Sequence, residues 1–97
     1  MLDSIFTQFD RVVVLDTETT GIDCRRDEII ELAAVAVSPD GVEDEMDLLI
    51  RLTPGRRLPP MITDLTGITE QMLAAEGVEK PQAAERFAAM LQAPRTM

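Results

Sequence analysis

The chain contains no histidine, tryptophan or tyrosine and a single cysteine. No imidazole or phenol is therefore available as a general base. Aromatic rings come only from Phe6, Phe9 and Phe87, and methionine and alanine fill much of the remaining apolar quota. The lone Cys24 excludes an internal disulfide and predicts a free loop thiol in a reducing compartment. The start, Met1-Leu2-Asp3-Ser4-Ile5-Phe6, lacks the basic and long apolar regions of a secretory signal. The longest unbroken apolar run, Leu32 to Val37, is far too short to cross a bilayer, so the expected location is the cytoplasm and no membrane partner is expected. Bases are scarce as well: nine against eighteen acids leave a net charge of −9, which opposes nonspecific affinity for nucleic acid or anionic membranes. Two small pairs, Arg25-Arg26 and Arg56-Arg57, fall in expected loops and read as solvated charges.

What is present is one small globular domain or part of one: 97 residues, 45% hydrophobic, with no repeats, low-complexity tracts or internal linkers. A core of that size is marginal.

Its most informative stretch is Arg11-Val12-Val13-Val14-Leu15-Asp16-Thr17-Glu18-Thr19-Thr20-Gly21. Four aliphatic residues predict a strand covered on both faces. Successive side chains alternate along a strand, so Asp16 and Glu18 project from the same face. Two like charges so placed repel each other, and partial desolvation adds to that cost unless a proton or a cation compensates them. A divalent cation is the economical solution; the alternative, which an isolated D-x-E would favour, is that both acids belong to a solvated loop after the strand. Thr19, Thr20 and Gly21 follow, where hydroxyls and backbone N–H groups can approach a phosphate or a base closely.

The remaining chain reads as connected elements. Residues 1–10 form a short lead-in, with Ile5, Phe6 and Phe9 on one side of a helical turn. Glu28 to Ser38 and Met46 to Leu52, separated by Pro39-Asp40-Gly41, read as an antiparallel hairpin. Glu31 is expected on a strand face near solvent or near the site, whereas Glu43, Asp44, Glu45 and Asp47 read as solvated surface. The prolines of residues 54–60 exclude a strand. Met61 to Thr66 predicts a short helix closed by Gly67, and Gln71 to Glu76 a second, capped by Thr69 and stopped at Gly77. After Pro81, Ala84, Phe87, Ala88 and Leu91 recur at helical spacing and predict an amphipathic helix with that face on the sheet.

Strand, D-x-E-T-T-G, hairpin, Pro54-Gly55, Leu65-Thr66-Gly67-Ile68-Thr69 and the Pro81 to Leu91 helix, in that order, resemble the front part of a DnaQ-like 3′→5′ exonuclease. This DEDD superfamily includes the proofreading epsilon subunit of bacterial DNA polymerase III and related RNases. The resemblance also takes in Asp27 to Val35 and covers roughly Arg11 to Leu91.

It implies an α/β, ribonuclease H-like fold in its N-terminal portion: a three-stranded antiparallel sheet, short helices and one amphipathic helix, with the C-terminal strands and helices missing. Residues 11–97 would be a partial exonuclease domain. The implied activity is metal-dependent phosphodiester hydrolysis that releases nucleotides from a 3′ end. Asp16 and Glu18 match the first exonuclease motif, whose carboxylates hold two divalent cations, and hard oxygen ligands favour Mg²⁺ or Mn²⁺. By the same resemblance, Thr19, Thr20 and Gly21 would approach the terminal nucleotide, and Leu65, Thr66 and Ile68 would line the base and sugar pocket. The implied partners are single-stranded or 3′-terminal nucleic acid and a DNA polymerase subunit.

The family's second and third motifs, N-A-x-F-D and H-x-x-x-x-D, are absent, and with them two metal-binding aspartates and the general base. No exonuclease turnover is expected from these residues alone, and an unpaired strand edge beside Asp16 is expected to promote self-association. The competing reading is a non-catalytic acidic module that meets a basic protein, with Asp16 and Glu18 incidental. A small α/β domain without a site stands third.

Overall fold

A computed structural model describes residues 5, 6, 8–92 and 95–97. Three strands, β1 (Val12–Thr19), β2 (Ile29–Ser38) and β3 (Gly41–Leu49), form one antiparallel sheet in the order β1-β2-β3. Three helices follow: α1 (Pro60–Thr66), α2 (Glu70–Glu76) and α3 (Lys80–Leu91).

Local chemistry accounts for the short helices. Pro60 sits in the first turn of α1, where a missing N–H costs nothing, and Gly67 closes the helix with φ 79°, donating its N–H to the Thr63 carbonyl. At α2 the Thr69 hydroxyl accepts from the Met72 N–H at 3.1 Å, as expected of an N-cap.

One sheet face carries one of two core clusters. Ala34, Ala36 and Met46 are buried there against Met90 of α3, with Val13, Leu32, Leu48 and Phe87 packed around them. Arg86 fixes the helix's rotation, donating to both Asp44 carboxylate oxygens at 3.2 and 2.8 Å and to the Glu45 carbonyl. The buried stripe of α3 is therefore Ala83 and Met90 with half-buried Phe87, one position away from the expected one: Ala84, Ala88 and Leu91 are exposed. A second cluster, Ile30, Leu58, Ile62, Ile68 and Leu73, ties α1 and α2 to the end of the sheet.

Three further expectations are corrected. The strand β1 is not covered on both faces, since Val14 and Leu15 are 56% and 51% exposed. Strand β3 begins at Gly41 rather than Met46, so Glu43, Asp44, Glu45 and Asp47 lie within the sheet. Glu43 and Asp44 are not simply solvated, being paired with Arg11 and Arg86. The outer edge of β1 is partly covered as well: Arg95–Met97 runs parallel beside it, with Val13 N–H bonded to the Met97 carbonyl at 2.7 Å and Met97 N–H to the Arg11 carbonyl at 2.9 Å. Beyond that point Leu15 and Thr17 have no outer backbone partner among the described residues. Of the expected lead-in, Ile5 and Phe6 are helical, whereas Met1–Ser4 and Thr7 lie outside the described residues, as do Ala93 and Pro94 after α3.

Candidate functional site

The register of the sheet assembles a group of carboxylates. Asp16, Ala33 and Asp47 are direct partners across the three strands, and Glu18, Glu31 and Leu49 form the next rung. Partners directly opposite in an antiparallel sheet share a face. Asp16, Glu18, Glu31 and Asp47 therefore project from the face opposite α3. Strand β1 continues through the motif to Thr19, so both expected carboxylates are held by ladder hydrogen bonds rather than by a loop.

The sequence alone leaves Glu31 between solvent and the site and reads Asp47 as solvated surface; Asp47 is exposed, but the sheet also brings both beside Asp16 and Glu18. The signal that finds them is pairing register. It was hidden because a bulge between Ala36 and Val37 shifts the β2–β3 alignment by a residue.

No ion pair among the described residues reaches any of these four acids. The Glu31 carboxyl is pushed up from its ordinary 4.5 to about 7, by its hydrogen bond to Asp47, by partial burial, and by the charges of Asp47, Glu18 and Asp16.

The folded chain thus keeps a proton that the unfolded chain releases near pH 4.5. The resulting stabilisation is fully present below that value and is lost as pH rises through about 7. Allowing for solvent screening, the loss between pH 5 and pH 8 should be about 1–2 kcal/mol. Urea unfolding of the wild type and Glu31→Gln at several pH values measures it. The variant should lack this part of the pH dependence; parallel profiles would refute the assignment.

Two grooves flank the carboxylates. One, of about 530 Å³, is lined by Val14, Asp16, Ala33, Val35, Glu45 and Asp47. The other, of about 410 Å³, is lined by Glu31, Asp47, Leu49, Thr66, Ile68 and Met72. Two of the expected pocket residues, Thr66 and Ile68, therefore share a groove with two of the acids.

Their polar atoms are largely committed. The Thr66 hydroxyl donates to the Ile62 carbonyl and accepts from the Ile68 N–H, while Ile68 is buried in the second core cluster. Leu65 is 74% exposed and does not line this groove.

The turn after β1 is held from within. The Thr19 hydroxyl donates to the Gly21 carbonyl. That of Thr20, a buried residue, donates to Asp27 at 2.8 Å and accepts from the Glu28 N–H at 3.0 Å. A Cβ on Gly21 would lie 2.6 Å from an Asp27 oxygen, so glycine is needed for that approach. Bonds from the Asp23 backbone and Thr20, with the charges of Arg56 and Arg26, hold the Asp27 carboxyl below its ordinary range.

The donors of the acidic face are all hard carboxylate oxygens with no competing cation, which fits a divalent metal such as Mg²⁺ or Mn²⁺. They do not make a closed cage: among the described residues no three acids, cysteines or histidines group closely enough to hold an ion by themselves. No helix among these residues is long and apolar enough to cross a membrane.

Comparison with known proteins identifies the family. The family model described as Exonuclease, RNase_T, matches residues 13–97. The chain is 46% identical over 61 residues to the PolC-type DNA polymerase III of Thermotoga petrophila, a match spanning 63% of this chain and 4% of that protein. It is 41% identical over 64 residues to the DNA polymerase III subunit epsilon of Aquifex aeolicus, spanning 66% of this chain and 31% of that protein. The chain thus spans less than a third of the length of either relative. Among solved structures, E. coli exonuclease I in complex with a dT13 oligonucleotide superposes with a TM-score of 0.78 at 22% identity, covering 90% of this chain and 19% of that one. At that identity the likeness establishes the fold, that of the ribonuclease H-like exonucleases.

Proposed function

Because the chain belongs to the exonuclease family, with DNA polymerase III epsilon and PolC-type chains among its relatives, we propose that Asp16 and Glu18 form one side of a metal-dependent 3′→5′ nuclease centre. The observation that carries this reading is the projection of both carboxylates from one face of β1, inside the matched region and without a basic partner among the described residues.

Asp16 and Glu18 would hold the divalent cation. When bound, such an ion activates a water and stabilises the leaving 3′ oxygen of a phosphodiester. Glu31 and Asp47 sit beside them, hydrogen-bonded to each other. The Thr66 and Ile68 groove would receive the terminal nucleotide, and the turn at Thr19, Thr20 and Gly21 would present backbone groups to it. The substrate is a nucleic acid with a free 3′ end, and by relationship the partner is a DNA polymerase.

The 97 residues alone contain no imidazole or phenol to act as a base, and Mg²⁺ held by two carboxylates keeps most of its waters. This chain alone should therefore show no turnover in a Mg²⁺- or Mn²⁺-dependent assay on a 3′-ended oligonucleotide; cleavage abolished by Asp16→Ala would contradict that. Cation binding is tested separately by calorimetric titration with Mn²⁺. The wild type should give a saturable signal that is lost in the Asp16→Asn, Glu18→Gln double variant. Equal signals from the two would favour the other reading, an acidic non-catalytic module.

A further inference from the structure

Strand β1 ends, β2 begins and β3 ends on the same side of the sheet. The loops of residues 20–28 and 50–59 therefore lie together, just past Glu18 and Glu31. Into this end are gathered Arg25, Arg26, Arg51, Arg56, Arg57 and Lys80, six of the chain's nine bases. The Arg56 guanidinium donates to the Arg26 carbonyl and so joins the two loops. Lys80 donates to the Arg51 carbonyl at 3.2 Å. Between the second loop and α2 runs a cleft of about 400 Å³, lined by Arg51, Thr53, Gly55, Arg56 and Glu70.

Some of this charge is already answered. Arg51 pairs with Glu79, Arg57 with Glu70, and Arg56 and Lys80 with Glu28, while Asp23 and Asp27 stand in the same loop as Arg25 and Arg26 and Asp27 feels the charges of Arg26 and Arg56. The Arg25 and Arg26 side chains are exposed and make no ion pair among the described residues, and the Arg57 side chain remains 84% exposed despite its partner.

We infer that this arginine-rich end is a binding surface for the sugar–phosphate backbone of a single-stranded nucleic acid, contacting nucleotides upstream of the one presented to Asp16 and Glu18. The inference rests on the proposed function for its direction. Three observations support it. First, the chain carries a net charge of −9 yet concentrates its bases at one end, beside the carboxylates that would repel a polyanion. Second, five of the six bases are arginines, whose planar fork matches phosphate oxygens. Third, the loop that carries Arg25 and Arg26 begins at residue 20, directly after β1 has delivered Asp16 and Glu18. A nucleic-acid strand whose end lies over the acidic face and which leaves past the end of β1 would meet these bases.

The test is fluorescence anisotropy with a labelled single-stranded oligothymidylate at low salt in EDTA, so that no cation bridges phosphate to Asp16 or Glu18. The Arg25→Ala, Arg26→Ala, Arg57→Ala triple variant removes three exposed guanidinium groups and leaves the backbone bonds between the loops in place. It should bind about tenfold more weakly or worse, and its log–log salt dependence should be shallower by about 2. Lysine at the same three positions should restore the salt dependence but only part of the affinity, and the melting curves of the wild type and both variants should differ by no more than the loss of the exposed Arg57–Glu70 pair allows. The Asp16→Asn, Glu18→Gln variant should bind at least as well as the wild type in EDTA.

Undetectable binding by the wild type, or equal binding by the triple variant, would overturn the inference. Displacement by poly-glutamate as effective, charge for charge, as displacement by unlabelled oligonucleotide would assign the surface to acidic polypeptides and overturn it too. The two proposals fail separately. Loss of oligonucleotide affinity in the triple variant stands whether or not Asp16 and Glu18 bind Mn²⁺, and failed Mn²⁺ binding removes only the nuclease centre.

Discussion

Substituting Gly77 by alanine is expected to lower the unfolding free energy by about 3 kcal/mol or more. Gly77 follows α2 with φ −68° and ψ 141°, a conformation open to any residue, so the cost is steric rather than conformational. An added Cβ would stand 2.3 Å from the Leu73 carbonyl oxygen and 3.0 Å from the Arg51 backbone nitrogen. Both are backbone atoms and neither can turn aside. The same short stretch holds the chain to the sheet, with Gly77 N–H bonded to the Leu73 carbonyl, Val78 N–H to the Leu49 carbonyl and Arg51 N–H to the Val78 carbonyl. Shifting Gly77 to relieve the contact would loosen the α2 terminus and the Ile50–Val78 bridge together. Gly67→Ala is the comparator: at φ 79° it meets nothing within 4 Å and should cost about 1 kcal/mol from backbone strain alone. Urea midpoints of the two variants measure the contrast, and similar losses would show that the Gly77 contact relaxes freely.

The second large effect is expected at Glu28, whose side chain is 11% exposed. One carboxylate oxygen accepts from the Thr53 N–H and hydroxyl at 3.0 Å each and lies 2.8 Å from Lys80 Nζ. The other makes no hydrogen bond among the described residues and lies 3.5 Å from Arg56 Nε. A single carboxylate therefore ties the start of β2 to the loop after β3 and to the first turn of α3.

Burial opposes its ionisation, yet the bonds from Lys80 and Thr53 outweigh it and hold the carboxyl below its ordinary 4.5. Its stabilisation is present above that value and is lost in acid, as pH falls through the lowered folded value. Glu28→Ala removes every contact and leaves Lys80 and the Thr53 N–H without this acceptor, a loss of about 3 kcal/mol. For a domain of this size that is roughly 12–24 °C in melting temperature. Glu28→Gln keeps an acceptor for Thr53 and should cost about half as much. A Glu28→Ala protein melting within a few degrees of the wild type would contradict this role.

The parts of the fold legible in the sequence were those set by neighbours along the chain. Pro60 and Gly67 bracket α1, Thr69 and Gly77 bracket α2, and the aliphatic run into Asp16 and Glu18 marks β1, because each depends on a local cap, breaker or alternation. The parts that depend on distant partners were misread. The helix α3 carries Ala83, Ala84, Phe87, Ala88, Ala89, Met90 and Leu91, apolar enough to bury more than one stripe. The bond from Arg86 to Asp44, across 42 residues, favours the stripe containing Ala83 and Met90. The acidic face was half legible for the same reason: Asp16 and Glu18 are related by strand period, but Glu31 and Asp47 join them only through a register that includes a bulge.

The central claim is that Asp16 and Glu18 hold a divalent cation, and the most direct measurement locates that ion. In a ¹⁵N-labelled chain titrated with substoichiometric Mn²⁺, paramagnetic broadening falls off steeply with distance and picks out the nearest amides. The amides of Asp16 to Thr19 and of Glu31 should broaden first, and the pattern should vanish in the Asp16→Asn, Glu18→Gln variant. Broadening centred instead on Glu43 to Glu45, or spread evenly over the acidic surface, would contradict the account.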